Sequence, residues 1–272
     1  MHPTRLSATW LALFLIATIG CNDSEDTTGG SQLLRVALDG SGDYTSIQAA
    51  VDAASVGTTI QIAAGTYSEQ VVVAKSVALV GAGPGTVVQD LSPQNPLPDD
   101  STDDSSATIL VRDTVDVVIR GLGVKGPEDG IQVRNATRVV IEAVDASNNG
   151  DEGIDVRSAD TVLVSGLFDG NADTGILVRE GSSDVTVNNC AADLNDENGI
   201  RVRESSRVFV AACTASDNGD DGIEVRDSTT VEIRQSTIEG NDGYGIRVGG
   251  TSGFVQLNNT IGGNLLGDVR FE

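Results

Sequence analysis

From residue 130 onward apolar and polar positions alternate in short runs, and the runs return at a nearly fixed interval. The recurring centre is Gly-Ile-x-Val: Gly130-Ile131, Gly153-Ile154, Gly175-Ile176, Gly199-Ile200, Gly222-Ile223 and Gly245-Ile246, in steps of 23, 22, 24, 23 and 23 residues. An asparagine stands four places before the glycine at Asn149, Asn171, Asn195, Asn218 and Asn241, and Asn264 precedes a degenerate copy, Asp268-Val269-Arg270-Phe271. After a second polar turn each copy carries another alternating segment: Val139-Val140-Ile141, Val162-Leu163-Val164, Val185-Thr186-Val187, Val208-Phe209-Val210 and Val231-Glu232-Ile233. Alternation at period two predicts strands with one buried face, and no copy holds the run of helical spacing that a βα unit needs. Length changes fall in turns, around Gly170 and Gly181, and never inside a strand.

One copy is too small to bury its own apolar face, whereas stacked copies bury a continuous one with strands about 4.8 Å apart. The pattern therefore predicts a solenoid of parallel strands, in which equivalent letters become touching side chains. Ile154, Ile176, Ile200 and Ile223 should share one interior column, and the asparagines should form a hydrogen-bonded ladder at one turn. Cys190, Cys213 and Ser236 are equivalent, so the two thiols should be vertical neighbours, close enough in Cα spacing for a disulfide. In-register side chains on parallel strands point the same way, which favours two reduced, buried thiols.

The same register draws rows of charge. The x position reads Gln132, Asp155, Leu177, Arg201, Glu224, Arg247 and Arg270 and is expected to face outward. The place after Val is arginine in five successive copies: Arg134, Arg157, Arg179, Arg203 and Arg226. Like charges one strand apart repel by roughly 0.8 kcal/mol per pair even in water, so the acids before the glycines, including Asp129, Glu152, Glu197 and Asp221, are the expected counter-charges. Arg157, Arg179, Arg203 and Arg226 form a candidate row for binding an anionic polysaccharide. Acids at the coil turns, Asp151/Glu152 and the set Asp220, Asp221 and Asp242, are candidate calcium ligands, because a hard cation takes carboxylate oxygens.

Residues 35–83 are organised differently. Thr45-Ser46-Ile47-Gln48 has the form of a capping box with Thr45 as cap, and Ile47, Ala50, Val51 and Ala54 keep helical spacing. A short helix here can cover the exposed edge of the first coil. Strands are expected at 59–62, 70–73 and 77–80. The run Ala37-Leu38-Asp39-Gly40-Ser41-Gly42-Asp43-Tyr44-Thr45-Ser46-Ile47-Gln48-Ala49-Ala50-Val51-Asp52-Ala53-Ala54, with Ala64-Gly65-Thr66-Tyr67 and Val77-Ala78-Leu79-Val80-Gly81-Ala82-Gly83, resembles the N-terminus of pectin methylesterases. That resemblance implies the start of a right-handed β-helix and not esterase chemistry, since the chain has no counterpart to the family's Asp-Phe-Ile-Phe-Gly and Gly-Arg-Pro-Trp segments. The copies at 130–271 resemble the coils of the broad pectin lyase-like β-helix superfamily, which includes pectate and alginate lyases, mannuronan epimerases and a periplasmic β-helix of copper-enzyme maturation. Together these resemblances imply an all-β, single-stranded right-handed parallel β-helix over 33–272 with a short N-terminal capping helix. Fold does not fix function. Residues 89–106, where Pro93, Pro96 and Pro98 lie among Asp99, Asp100, Asp103 and Asp104, read as an acidic loop inserted between coils.

Ahead of the repeats, Arg5 precedes an apolar run from Trp10 to Ala17, closed by Thr18-Ile19-Gly20-Cys21. This has the form of an export signal, and the run is short for a bilayer span. It resembles a bacterial lipoprotein signal, although Thr18 stands where an aliphatic residue is usual. The resemblance implies removal of residues 1–20, acylation of Cys21 and anchoring to a membrane. Asn22 in place of Asp points to the outer membrane or cell surface. Residues 21–32 read as a flexible polar tether.

Charge and composition narrow the chemistry. The chain carries 40 acids against 17 bases, a net charge of −23, which repels nucleic acid and anionic membrane surfaces. Its one histidine, His2, lies in the leader. The mature part therefore has no imidazole for a triad or a metal, and lacks the polygalacturonase Gly-His-Gly and epimerase Asp-Pro-His features. Two thiols and many carboxylates suit copper or zinc poorly. A lyase needs a strong base beside a uronate with a cation such as calcium, and the ingredients are present. A glycosidase needs two carboxylates at a set separation, which any repeat this acidic supplies by accident. Aromatic platforms for sugars are few, and Trp10, the only tryptophan, also lies in the leader. Three readings stay open: a non-catalytic, lipid-anchored polysaccharide-binding protein, a calcium-using lyase or related enzyme acting on an acidic glycan, and a structural spacer. The oligomeric state is open as well.

Overall fold

The computed structural model describes residues 32–91 and 107–272. The leader, Cys21, most of the tether and most of the proline-rich insertion lie outside them. Among the described residues, ten of the thirteen strands of sheet A stack in one parallel series from Leu33–Val36 to Val255–Leu257, and nine, from Val71–Val73 to Gly267–Phe271, stack in sheet B. The chain passes alternately between the two, forming the expected right-handed parallel β-helix of about ten coils. Ile131, Ile154, Ile176, Ile200, Ile223 and Ile246 pair in succession along sheet B and are fully buried. The interior column inferred from spacing is present.

Gly and Asn recur together because one occupies the space the other leaves. A Cβ on Gly199 would lie 2.7 Å from the Asn218 amide nitrogen and 2.7 Å from the Ala192 and Gly222 carbonyl oxygens. The side chain of the asparagine one coil further on therefore packs where the glycine has none. Each buried Asn side chain then bonds upward and downward. Asn195 Oδ1 accepts the Asn171 backbone N–H at 2.9 Å and its side-chain amide at 3.0 Å, and the Asn195 amide donates to Asn218 Oδ1 at 3.0 Å. The ladder runs from Asn149 to Asn264.

The corner between sheet B and sheet A turns on a left-handed residue in each of these coils: Asn135, Ser158, Glu180, Glu204 and Asp227, with φ between 47° and 55°, and Glu180 is followed by a second, Gly181. Turns tolerate this conformation best in short polar residues, which explains the polar letters after each arginine. A small buried residue follows, Ala136, Ala159, Ser182, Ser205 or Ser228, and the serines bond between coils, as where Ser228 Oγ accepts the Ser205 N–H at 3.2 Å.

The helix forms over Ile47–Ala53 with Ser46 as its N-cap, one residue later than the capping box indicates. Ser46 Oγ accepts the Ala49 N–H, but the second half of the cap is Glu69, whose carboxylate accepts the Ile47 N–H at 2.8 Å and the Gln48 N–H at 3.0 Å. Gln48 is thereby released to take the Val72 N–H at 2.6 Å, tying the helix to the first strand of sheet B. Ile47, Ala50 and Val51 are buried against the first coils. The expected strands appear as Thr58–Ile62, Val71–Val73 and Val77–Gly81. Cys190 and Cys213 are free, buried and aligned with Ser236, whose hydroxyl accepts the Cys213 N–H at 3.3 Å. Among the described residues no helix is long and apolar enough to cross a membrane.

Candidate functional site

The outer face of sheet B brings three columns side by side: the residue before each glycine, the x position and the arginine row. Parallel pairing lengthens the arginine row by one coil, because Arg112 pairs with Arg134. Ile109-Leu110-Val111-Arg112 carries the same letters without the preceding glycine that marks the other copies. The x column is not the solvated row expected. Gln132, Asp155, Leu177 and Glu224 are all buried, and neighbouring arginines fold over the two acids.

Near one end of this face Asp129, Asp151 and Glu152 converge, each placing a carboxylate oxygen within 4.8 Å of the others. Asp129 opens the strand Asp129–Arg134, and the other two sit in the turn before Ile154–Arg157. Asp129 Oδ1 accepts the Glu152 N–H at 3.3 Å. The amide nitrogen of Gln132 lies 3.5 Å from Asp129 and 3.3 Å from Asp155, while its Oε1 is buried without a hydrogen-bond partner. Burial, and then the charge of Glu152, pushes the Asp129 carboxyl well above the ordinary range. Burial likewise brings Glu152 up to about 7, and burial with Asp173 raises Asp151. Such a cluster is stable only if a proton is shared or a cation enters. Its donors are all hard oxygens, a set suited to calcium or magnesium.

Among the described residues no other acidic trio gathers in this way. Of the calcium candidates at Asp220, Asp221 and Asp242, Asp221 is fully buried and already engaged. Its Oδ1 accepts the Tyr244 N–H at 2.7 Å, and Arg247 Nε lies 2.9 Å from its Oδ2. Asp242 is exposed on the turn and Asp220 is partly buried.

The arginine row divides by burial and partner. Arg157 is 2% exposed and so is removed from any reachable surface. Arg179 Nη2 lies 2.9 Å from Asp155, and Nη1 lies 2.9 Å from Glu180. Burial works against its charge, but the Asp155 hydrogen bond and charge outweigh that and push the guanidinium further up. Glu224, fully buried, gathers Arg201 at 2.6 Å together with Arg226 and Arg247. These three outweigh the effect of burial and hold its carboxyl below the usual range. Arg203 is partly exposed and has no ion pair among the described residues. The counter-charges of Arg179 and Arg226 are thus Asp155, Glu180 and Glu224. Of the acids expected in that role, Asp129 and Glu152 face each other, and Glu152 also lends its charge to Arg179.

Residues 107–266 match the family model described as a right handed beta helix region. The chain belongs to the right-handed β-helix family. No curated protein matches it. Among solved structures it is similar to a pectate lyase, Pel9A, with 16% identity over 87% of this chain and 72% of that one and a TM-score of 0.63. The mannuronan C-5 epimerase AlgE6 A-module of Azotobacter vinelandii is 21% identical over 80% of this chain and 72% of that one, with a TM-score of 0.55. A carrot pectin methylesterase is 16% identical over 87% and 84%, with a TM-score of 0.50. At these identities the likeness is one of fold, and the chemistry of this β-helix rests on its own side chains.

Proposed function

We propose that this β-helix protein binds an acidic polysaccharide along the outer face of sheet B without cleaving it. A divalent cation, calcium by the donor set, would be held by Asp129, Asp151 and Glu152 and would bridge to a carboxylate of the glycan. Arg179, Arg203 and Arg226 would take further carboxylates along the row. The observation that carries the reading is the acidic trio, with its raised carboxyls, set on the same face as partly exposed arginines. Cation bridging reconciles a chain of −23 with an anionic partner. The same reading tethers the β-helix outside the cell by a lipid at Cys21.

A calcium-using lyase or related enzyme is the second reading, favoured by one observation: a Glu152 carboxyl near 7 is well tuned for general-base work. The two uses compete, because a carboxylate that ligates the cation cannot also take a proton. Arg179, held protonated by Asp155, is a poor base. Retention of pectate and alginate by the purified protein, with calcium and with a chelator, tests both. Calcium-dependent retention without turnover is expected, and Arg203→Ala should weaken it several-fold with circular dichroism unchanged. New absorbance from an unsaturated uronate would establish the lyase instead, and absence of both retention and turnover would end both readings. For the anchor, fatty-acid labelling in cells should mark the wild type and not Cys21→Ser; equal labelling would refute it.

A further inference from the structure

The basic end of the same face has a property the acidic end lacks: a surplus of fixed donors. Two exposed arginines on the other sheet each pair with a single acid. Arg138 forks onto Asp116 at 2.6 and 2.8 Å, and Arg207 forks onto Asp184 at 2.6 and 2.7 Å, each pair neutralising itself. Around Glu224 the ratio changes. Arg201, Arg226 and Arg247 all reach this one carboxylate, Arg247 also reaches Asp221, and Arg203 pairs with Arg226 across adjacent strands. Four guanidinium groups thus face two buried acids. Asp220 adds its field at Arg247, and Glu204, Asp227 and Glu272 lie beside Arg203, Arg226 and Gly249, so the surplus is one of hydrogen-bond donors held on two buried acids and not of net charge.

Donor geometry points the same way. A carboxylate accepts about four hydrogen bonds, whereas three guanidiniums carry about fifteen N–H groups. Arg201 and Arg226 meet Glu224 through Nε, and among the described residues no hydrogen bond occupies their terminal nitrogens. Their side chains remain 29% and 41% exposed. Glu224, with no exposed surface, acts as an internal pin that holds the guanidiniums in place while their outer donors face solvent. An arrangement of this kind is preorganised for an oxyanion, since arginine forks match carboxylate, sulfate and phosphate oxygens.

We propose that Arg201 and Arg226, pinned by Glu224, form with the neighbouring Arg203 a cation-independent binding site for one oxyanion. This rests on the reading of sheet B as the ligand face and adds to it a second point of attachment. The strand beside the acidic trio and the strand of Glu224 are three coil steps apart, about 14 Å. That is farther than a single sugar ring reaches, so the ligand is a polyanion long enough to be held through a cation at one point and directly by arginine at the other.

The test is nitrogen NMR of the arginine Nε groups of the folded protein, titrated separately with inorganic sulfate, inorganic phosphate and acetate at constant ionic strength in the presence of a chelator. Saturable shifts are expected at Arg201, Arg203 and Arg226, with Arg138 and Arg207 unmoved. The strongest of the three anions identifies a sulfate ester, phosphate ester or carboxylate as the group recognised. Arg201→Gln with Arg226→Gln should weaken binding at least tenfold. Arg203→Gln, which breaks no ion pair, provides the same reading with a smaller loss if the double variant does not fold. Asp129→Asn should leave oxyanion binding intact while removing calcium-dependent glycan retention, so failure of the glycan reading is seen separately. Non-saturating shifts shared by all arginines, or loss of anion binding in Asp129→Asn, would overturn the proposal.

Discussion

Asn195→Ala is expected to destabilise the β-helix by about 3–5 kcal/mol, because it orphans two buried donors at once at a cost of roughly 1–3 kcal/mol each and breaks a third bond. The Asn171 backbone N–H and side-chain amide both end on Asn195 Oδ1, and the Asn195 amide ends on Asn218 Oδ1. Asn171, Asn195 and Asn218 are all buried, so water cannot replace the lost partner. A domain stabilised by about 5–15 kcal/mol feels such a loss strongly. Gly199→Ala attacks the ladder from the other side, since its new Cβ would meet the Asn218 amide and two carbonyl oxygens at 2.7 Å. Backbone oxygens give way only if a coil shifts. Denaturant titration followed by circular dichroism should show the midpoint falling in both variants. Because each coil touches only its neighbours, the transition should also split into two steps at the damaged coil. An unfolding free energy within about 0.5 kcal/mol of wild type would mean that the ladder ornaments the stack without holding it.

The columns were legible in the letters because an in-register solenoid turns sequence equivalence directly into contact. Ile154 over Ile131, Asn195 over Asn171 and Cys213 over Cys190 required only a count of residues. What the count missed involves partners that are not equivalent. Glu69 caps a helix more than twenty residues away, so the cap falls on Ser46, one residue past the box that starts at Thr45. Column order puts the nearest acids for the arginines before the glycines, whereas Arg179 reaches down one coil to Asp155 in the x column and Arg226 turns to Glu224 in its own strand. Asp155 and Glu224 look outward by alternation, and their burial comes from the long side chains folded over them.

The candidate cation site shows the limit most clearly. Asp151-Glu152 and Asp220-Asp221 are the same kind of doublet at the same place in their coils. They diverge through the coils on either side. Glu152 stacks on Asp129, acid on acid, while Asp221 lies between Asn198, whose Oδ1 accepts its N–H, and Tyr244, whose N–H it accepts. Reading down the column before glycine, as was done for asparagine, would have found the one place where two acids adjoin. Local composition could not find it, because this chain is acidic in nearly every coil. The buried Gln132, whose spare oxygen has no partner, was invisible as a site feature until its column proved to be covered.

Without a cation, the acidic trio should make the protein less stable as pH rises from about 4.5 to 7, and calcium should reverse the trend. The Glu152 carboxyl is raised from 4.5 to about 7 in the folded protein, and Asp129 and Asp151 are raised as well, so the folded state holds protons that the unfolded chain releases. Stability falls with pH wherever the folded state binds more protons. The contribution is complete below the unfolded value near 4.5 and is lost as pH passes the folded value near 7, a change on the order of a few kcal/mol. A cation takes the place of those protons. It binds the deprotonated trio, releases the shared proton and weakens about tenfold per pH unit below 7 for each proton displaced. At a hundredfold excess over its dissociation constant it would add about 2.7 kcal/mol. Melting temperatures measured from pH 5 to 8 with a chelator and with calcium should therefore diverge upward through that range. Asp129→Asn should raise the chelated melting temperature at pH 8, by relieving repulsion, and abolish the response to calcium. These opposite signs in one variant separate a cation site from general screening of acidic charge, which would leave the calcium response of Asp129→Asn close to that of the wild type.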